Sequence, residues 1–399
     1  MYGGKLINKD IETSISDNRG KGAKILATGS SSCIFQPNIP CANSKDSVDN
    51  TKISKIVYGS KSDKYLEQER KINGLVKKIK GYNDWALIYD KFCKAPLYGN
   101  ILKNYDKDIV KCMEKYYEGK FNETNNMMVG MYGGDTFEDH FVQKVLNNQK
   151  NIDKSMYILL LKMEPLFLGL NELYKNNISH LDIKVNNIVL HKNVFKYIDF
   201  GLSSELNDYT HFKNRSLSEL NNRRYYLWYP VEYIYSHSPK HESPEELLKI
   251  TKRKHYDKGV KIYKLLGYDF KGVAEHSLKN DLKRNYKQLY SMIDVFSLGI
   301  MIPYLFIDYN QSKFIKNSPF LTELFNLFSR MCDPDHNKRI EPEECLVLYN
   351  SLITKFSTLK RTTKSKPTVK SKKKSSKKKS SKKKSSKKKS PPKKFEKFI

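Results

Sequence analysis

Residues 180–187 read HLDIKVNN, and residues 199–201 read DFG. Together these two segments supply two carboxylates, an amide and an ammonium group. Moving a phosphoryl group requires a base or orienting group at the attacking hydroxyl, hard oxygen ligands for Mg²⁺, and positive charge against the transferred group. The side chains that suit these tasks, in that order, are Asp182, Asn187 with Asp199, and Lys184.

The chain between the two segments has the pattern of a β-hairpin. Residues 188–190 are apolar, residues 191–193 are polar, and residues 194–198 are rich in β formers. A hairpin brings its open ends together. Asn187 and Asp199 are therefore expected to lie side by side, where both could bind one metal ion.

The order and spacing of the two segments resemble the HRDLxxxN and DFG motifs of eukaryotic-type protein kinases. A chance match on an unrelated hairpin is the alternative, and it has to explain both motifs at once. The resemblance implies an α+β, two-lobed protein-kinase fold. It also implies transfer of the γ-phosphoryl group of ATP to a protein substrate, with Mg²⁺ or Mn²⁺ as the metal, and catalytic roles for Asp182, Lys184 and Lys55.

The same resemblance predicts the domain organisation. A small β-rich lobe is expected over residues 23–131 and a mainly helical lobe over residues 132–357, with an insertion at about 236–290. Residues 1–22 would be an N-terminal extension and residues 358–399 a Lys/Ser-rich disordered tail.

A partial match to the family's nucleotide loop lies near the start of the small lobe. Against GxGxxGxV, Ala27 and Ser32 stand at the first and third glycine positions, and only Gly29 is kept. Small residues still let backbone N–H groups approach phosphates, and serine hydroxyls add donors; an ordinary hairpin turn is the alternative. The residues implied for ATP binding are Leu26, Ala27, Thr28, Gly29, Ser30, Ser31, Ser32, Cys33, Ile34, Lys55, Glu69 and, at the hinge between the lobes, Met131.

Lys55 is expected to contact the phosphates, because its strand resembles the family's VAIK. Lys52 is the alternative, and the Ile-Val pair that follows favours Lys55. The ion-pair partner is expected on the next helix, where Glu69 is preferred to Glu67 because Ile72, three residues on, shares its helix face. A solvated side chain is the ordinary alternative at each of these positions.

Three downstream positions extend the resemblance through the larger lobe. Glu232 stands where the family has the glutamate of Ala-Pro-Glu, and Asp294 opens a segment similar to DxWSLG. Arg339 matches the arginine that pairs with that glutamate. All three are expected to be structural, since a buried ion pair fixes geometry more reliably than it adds stability.

The chain also departs from the family pattern. Leu181 replaces the arginine of HRD, the cation that usually receives a phosphorylated activation loop, so activity is expected not to require that phosphorylation. Lys184, after Asp182 and Ile183, resembles the serine/threonine branch of the family, so serine and threonine are the expected acceptors. Tyr225 is placed near the position where many serine/threonine kinases have a threonine that faces the catalytic aspartate. The insertion is expected to be a docking or covering element, or simply a tolerated surface insertion.

The composition indicates an intracellular protein. The six cysteines lack CxxC spacing and are expected to be reduced thiols rather than disulfides or a zinc site. No run of about 20 apolar residues and no apolar N-terminal signal core is present, so neither a membrane partner nor secretion is expected. A monomer is expected, in the cytoplasm or nucleus, with association with virions as a further option.

The C-terminal tail is a different kind of sequence. Residues 360–399 contain 20 Lys or Arg residues and one acid, Glu396, in a chain of formal net charge +30. Lys-Lys-Lys-Ser-Ser repeats fill residues 371–390, a pattern that cannot bury apolar surface and predicts disorder. Nucleic acid or another polyanion is the expected partner, and a merely solubilising tail is the equal alternative.

A finer resemblance is to serine/threonine-protein kinases of large nucleocytoplasmic DNA viruses. It is carried by residues 29–37, the Ser54-Lys55 pair, the Tyr-Gly-Gly of 132–134, residues 197–203 and residues 229–232. Two other classes of function stay open: a pseudokinase scaffold, suggested by the depleted glycine loop, and a basic nucleic-acid-associated virion protein. A small-molecule phosphotransferase shares the metal-ligand pattern, but Lys184 and the downstream motifs argue against it.

Overall fold

The computed structural model describes residues 23–29, 32–57, 62–96, 125–222, 225–235, 256–279 and 286–360. Several expectations from the sequence concern other residues. The N-terminal extension, Ser30 and Ser31, residues 236–255 and 280–285 of the insertion, and the tail beyond Lys360 lie outside the described part.

The smaller lobe is built on a five-stranded antiparallel sheet with strand order β1-β2-β3-β5-β4. Its elements in chain order are β1 (Lys24–Thr28), β2 (Ser32–Gln36), β3 (Lys52–Val57), α1 (Ser62–Val76), α2 (Tyr82–Trp85), β4 (Tyr89–Lys94) and β5 (Asn126–Met131). The predicted β-rich lobe is confirmed.

The register of the sheet decides where Lys55 points. Ile34, Lys55 and Met128 form one cross-strand row, and directly paired residues share a sheet face. Since successive residues alternate between faces, Lys55 and its neighbour Ile56 point to opposite sides. Ile56 packs into the core on one face. The other face carries Lys55 and Met128, and Leu66 of α1 packs there.

The larger lobe is mainly helical. Its elements in chain order are α3 (Phe137–Lys144), α4 (Ile152–Lys175), β6 (Ile178–Ser179), β7 (Ile188–His191), β8 (Val194–Tyr197), β9 (Ser204–Glu205), α5 (Tyr209–Asn221), α6 (Val231–Tyr235), α7 (Tyr256–Leu265), α8 (Phe270–Lys279), α9 (Tyr286–Ser291), α10 (Ile293–Asp308), α11 (Pro319–Met331) and α12 (Pro342–Lys355). The predicted helical lobe and the β7–β8 hairpin are both confirmed.

Helix α10 lies at the centre of this lobe. Every residue from Ile293 to Pro303 is buried, as expected of a helix that is apolar on all sides. Helices α7 and α11 pack against it. Because Asp294 lies in its first turn, the helix carries this carboxylate into the interior of the lobe.

The described part of the insertion belongs to the core. Ile262, Tyr263, Phe270 and Ala274 are fully or almost fully buried. Helix α8 packs against α6, and α7 packs against α10. This part is therefore a covering element of the larger lobe, which was one of the two expectations, and it is more than a tolerated surface loop.

Two glycines hold the connection between the lobes against the β7–β8 hairpin. A Cβ at Gly133 would lie 2.4 Å from Val189 Cγ2, and Gly134 has a φ of 87° with Leu190 O 2.8 Å from its ideal Cβ position. The Leu190 amide donates to Asp135 O at 2.8 Å. A side chain at either glycine would push the connection away from the hairpin.

The prediction of reduced thiols was wrong for three cysteines. Cys41 and Cys93 form a disulfide that links the segment after β2 to strand β4, and Cys33 is also disulfide-bonded. Cys332 and Cys345 are free and buried, as expected. Spacing in sequence could not reveal the pair, because the two residues meet only when β4 joins the sheet. Because three cysteines are disulfide-bonded, the cysteines do not support the expectation of a reducing compartment.

One helical stretch is long and apolar enough to cross a membrane by length and composition. It covers residues 288–308, and 83% of its apolar window is buried inside the protein. A core helix passes the same test, so the stretch is weak evidence for a membrane span.

The disulfide predicts a loss of stability that does not add between its two cysteines. The bond spans 52 residues, and breaking it should lower the free energy of unfolding by about 2–4 kcal/mol, since the unfolded chain regains that freedom. Denaturant unfolding of Cys41→Ser, Cys93→Ser and the double variant, without reductant, measures this. The three variants should lose the same amount. Losses that sum in the double variant would show two independent thiols.

Candidate active site

The carboxylate of Asp182 is the centre of the predicted site. Lys184 Nζ donates to both of its oxygens, at 3.1 and 2.9 Å, and Asn187 Nδ2 donates to Oδ2 at 2.7 Å. The phenol of Tyr226 donates to Oδ1 at 2.5 Å. The structure thus brings together Asp182, Lys184 and Asn187, and it adds a tyrosine to them.

Asp294 fixes the backbone that leads into Asp182. Its Oδ2 accepts hydrogen bonds from the His180 amide at 2.5 Å and from Ser179 Oγ at 3.0 Å, and its Oδ1 accepts from the Leu181 amide at 2.9 Å. The contacts explain how a buried carboxylate is tolerated in the first turn of α10. They are contacts to protein groups, which is compatible with the structural role expected for Asp294.

The hairpin brings the two metal-ligand candidates together. The Ile198 amide donates to Asn187 O at 3.0 Å, which places Asn187 beside the residue that precedes Asp199. The side-chain amide of Asn187 donates from Nδ2 to Asp182 O at 2.9 Å and to Asp182 Oδ2. Both hydrogens of Nδ2 are thereby engaged, which leaves the side-chain oxygen Oδ1 of Asn187 as a hard ligand.

This donor set fits a magnesium ion. Mg²⁺ in phosphate-transferring sites is usually held by one or two side-chain oxygens together with phosphates and water. Asn187 and Asp199 supply such oxygens. No group of three or more His, Cys, Asp or Glu side chains suited to a metal occurs within the described residues, so no all-protein cage competes for the ion there.

Lys55 connects the two lobes electrostatically. Its Nζ lies 3.1 Å from Glu69 Oε2 on α1 and 2.7 Å from Asp199 Oδ1. The predicted Lys55–Glu69 ion pair is therefore formed. Of the alternatives, Lys52 is only partly buried and Glu67 is exposed.

Burial and charge shift the pKa values of the three groups in different directions. Burial alone would lower the pKa of Lys55, but Asp199 and Glu69 outweigh it and raise that pKa well above the usual range. Burial acts to raise the pKa of Asp199, yet Lys55 lowers it to about 2. The pKa of Glu69 rises from 4.5 to about 7, chiefly through burial, against the opposing effect of Lys55 and with help from the charge of Asp199.

The predicted nucleotide loop lies between β1 and β2. Strands β1 and β2 pair on either side of it, with an irregularity in register between Ile25 and Ala27. The Gly29 amide donates to Ser32 O at 2.7 Å. The Cys33 side chain is fully buried in the core of the smaller lobe, so any contact of this residue with phosphates has to come from its backbone. Ser30 and Ser31 are not among the described residues.

Met131 ends β5 next to the connection between the lobes, and 37% of its surface is exposed. One residue earlier, Gly130 lies opposite Tyr89 of β4. A Cβ at Gly130 would be 3.1 Å from the Tyr89 ring, so the missing side chain makes room for it. The Tyr89 ring lies 5.7 Å from Lys55 Nζ, a contact that sequence reasoning did not find.

Glu232 and Arg339 form the predicted buried ion pair. Arg339 Nη2 donates to Glu232 Oε1 and to Asp333 O, the latter at 2.7 Å, and Nε donates to the same carbonyl at 3.0 Å. Both charged side chains are almost completely buried. The pair ties α6 to the chain before α12, and so holds the segment that contains Tyr226.

The tyrosine beside Asp182 is Tyr226, and the prediction that placed Tyr225 there was wrong by one residue. Tyr225 packs edge-on against Phe270, with ring centroids 5.3 Å apart, and lies against Gly259 of the insertion. The two neighbouring tyrosines therefore have different partners: Tyr225 lies against the insertion, and Tyr226 faces the catalytic loop.

The raised pKa of Glu69 predicts a pH-dependent stability of the metal-free protein. The folded protein holds this proton more tightly than the unfolded chain does, so the Glu69 contribution is full below pH 4.5 and is lost as the pH rises through about 7. Denaturant unfolding across this range should show a smaller decline of stability in Glu69→Gln than in the parent. The matched control, Glu67→Gln on the same helix, should keep the parental slope. Equal slopes in parent and Glu69→Gln would contradict the assignment.

Comparison with protein-family models matches residues 99–349 to the protein kinase domain. The match covers more than half of the chain and contains the Asp182 and Asp199 segments as well as Glu232, Asp294 and Arg339. It begins after β4, so the strand that carries Lys55 precedes it and is located by the structure alone. No match among curated proteins was found. With a β-sheet lobe, a helical lobe and this matched domain, the chain belongs to the protein kinase family.

Proposed function

We propose that this protein kinase transfers the γ-phosphoryl group of ATP, with Mg²⁺, to serine and threonine hydroxyls of protein substrates. The observation that carries the proposal is the arrangement around Asp182 and Asp199. A carboxylate, an ammonium group and an amide meet on the catalytic loop, and Lys55 bonds Asp199 across the cleft at 2.7 Å. Mn²⁺ is an alternative metal, since the same oxygen ligands suit it.

Each side chain has a task in this reaction. Asp182 orients the acceptor hydroxyl and takes its proton, while Lys184, bonded to the same carboxylate, neutralises charge that develops on the transferred group. Asn187 and Asp199 would hold the metal ion, which when bound offsets the negative charge of the phosphates. Lys55, held by Glu69, positions the phosphates. The acceptor oxygen forms a bond to γ-phosphorus as the bond from γ-phosphorus to the bridging oxygen breaks, and ADP leaves.

Serine and threonine are proposed as acceptors because Lys184 follows Asp182 at the spacing typical of that branch of the family. Lys184 Nζ reaches both Asp182 oxygens, so the lysine is already beside the position of the acceptor hydroxyl. The formed Lys55–Glu69 pair also favours an active enzyme over a scaffold, since a scaffold has no need of a buried lysine between two carboxylates.

The cellular setting is part of the proposal. The motif resemblance to kinases of large nucleocytoplasmic DNA viruses supports a viral protein that acts in the cytoplasm or nucleus and is carried in the virion. For the tail, we propose nucleic acid or another polyanion as the partner, on the strength of its 20 basic residues against one acid.

Substitutions at the proposed site should abolish transfer of labelled phosphate from Mg-ATP to a protein acceptor. Asp182→Asn removes the base and Lys55→Met removes the phosphate contact, and each should reduce turnover by about a hundredfold or more. Lys52→Met is the matched control, because Lys52 lies on the same strand and its side chain is 44% exposed. Equal activity in all variants, or no transfer by the parent across metals and acceptors, would refute catalysis at this site.

Deleting residues 360–399 should weaken retention on immobilised DNA steeply at low salt. The logarithm of the affinity falls with the logarithm of the salt concentration in proportion to the phosphates neutralised, so the shortened protein should also show a shallower salt dependence. Replacing the lysines of 371–390 with glutamine keeps the length and should mimic the deletion. Unchanged retention would rule out polyanion binding by the tail.

A further inference from the structure

Leu181, the residue before the proposed catalytic base, has an unusual backbone conformation. Its φ is 58°, in the left-handed region that branched side chains rarely adopt. Such a conformation costs of order 1–3 kcal/mol and persists only where the surroundings hold it. The contacts on both sides of this peptide are therefore part of what places Asp182.

The two sides of Leu181 are held by different elements. Its amide donates to Asp294 of α10. Its carbonyl oxygen accepts a hydrogen bond from the phenol of Tyr229 at 2.7 Å, and Tyr229 is fully buried. Tyr229 lies in the segment between Asp199 and Glu232, the part of the chain that corresponds to the activation segment.

Arg215 orients this phenol. Its Nε donates to Tyr229 Oη at 3.1 Å, and its guanidinium carbon lies 5.7 Å from the centre of the Tyr229 ring. A phenol has one hydrogen, so accepting from Arg215 directs that hydrogen towards Leu181 O. Burial, which opposes the effect of Arg215, raises the pKa of Tyr229, so the phenol stays a neutral donor at physiological pH.

In this chain the arginine at the contact, Arg215, belongs to the segment between Asp199 and Glu232, whereas the arginine of the family motif belongs to the catalytic loop. The motif arginine would occupy position 181, where this chain has leucine. Here Arg215 comes from α5, within the segment itself, and a nearby carboxylate, Glu219, lies 3.5 Å from it. Tyr229 and Arg215 thus connect this segment to the catalytic loop, and their contact needs no phosphate.

We propose that Tyr229, oriented by Arg215, is a positioning residue for phosphoryl transfer: it fixes the backbone of Leu181 and hence the carboxylate of Asp182. We call the hydrogen bond from Tyr229 to Leu181 O, together with Arg215, the lock. The lock replaces a phosphate-dependent contact, so activation-segment phosphorylation is not needed. This inference rests on the proposed function for its kinetic consequences, whereas the lock itself is a property of the fold.

Tyr229→Phe and Tyr233→Phe form a matched pair that isolates the lock. Tyr233 is also fully buried, and it donates to a backbone carbonyl, Phe212 O on α5, at 2.8 Å. Each variant loses one buried phenol–carbonyl hydrogen bond, and Tyr229→Phe also loses the bond from Arg215 Nε, so it should be destabilised at least as much as Tyr233→Phe. Only the first loses its contact with the catalytic loop.

The expected result is a split between kcat and KM. Tyr229→Phe should lower kcat about tenfold with the KM for ATP changed less than about twofold, and Tyr233→Phe should keep the parental kcat. Arg215→Gln should lower kcat in the same way, and Tyr229→Phe/Arg215→Gln should be no slower than the slower single variant. Equal kcat in parent and Tyr229→Phe, or equal losses in Tyr229→Phe and Tyr233→Phe, would overturn the inference.

All proteins are first treated with phosphatase, and a large loss of parental activity on that treatment would overturn phosphate independence.

A second measurement does not depend on activity. Hydrogen–deuterium exchange of the peptide covering residues 178–187 should be faster in Tyr229→Phe than in Tyr233→Phe. If the parent transfers no phosphate, the proposed function fails while this comparison still tests the lock. Equal exchange in the two variants would overturn the lock even in an active enzyme.

Discussion

The contact on which the rest of the site depends is that of Lys55 with two carboxylates from different parts of the chain. Glu69 belongs to α1 of the smaller lobe, and Asp199 leaves the hairpin of the larger lobe. Burial, with help from the charge of Asp199, raises the pKa of Glu69 against the opposing effect of Lys55. Glu69 Oε1 has no hydrogen-bond partner among the described residues. A metal ion held at Asp199 would add positive charge beside these two carboxylates.

Local sequence signals were sufficient where the chain itself sets the geometry. The apolar and polar alternation around the hairpin predicted the proximity of Asn187 and Asp199, because a hairpin joins its ends whatever surrounds it. Helix periodicity likewise separated Glu69 from Glu67. Where a long-range neighbour decides, the prediction from sequence was wrong: Cys41 and Cys93 meet only when β4 joins the sheet, and Tyr225 packs against the insertion helices instead of facing Asp182.

Position 181 shows how one substitution redistributes a task over several residues. The leucine there is fully buried and carries no charge to bind a phosphate, and its backbone adopts a left-handed conformation before Asp182. Asp294 accepts the hydrogen bond of the amide on one side of Leu181, and Tyr229 donates to the carbonyl on the other side. No sequence signal marked Tyr229, because its partner is a backbone atom and any residue could supply that carbonyl.

The aromatic segment before Glu232 thus contacts the catalytic loop twice. Tyr226 bonds the carboxylate of Asp182, and Tyr229 bonds the carbonyl of the preceding residue, while the two rings pack edge to face with centroids 4.7 Å apart. The buried Glu232–Arg339 pair and the insertion helices hold this segment from behind. The described helices of the insertion pack as core, and Phe270 and Gly259 lie against Tyr225, one residue before the tyrosine that bonds Asp182.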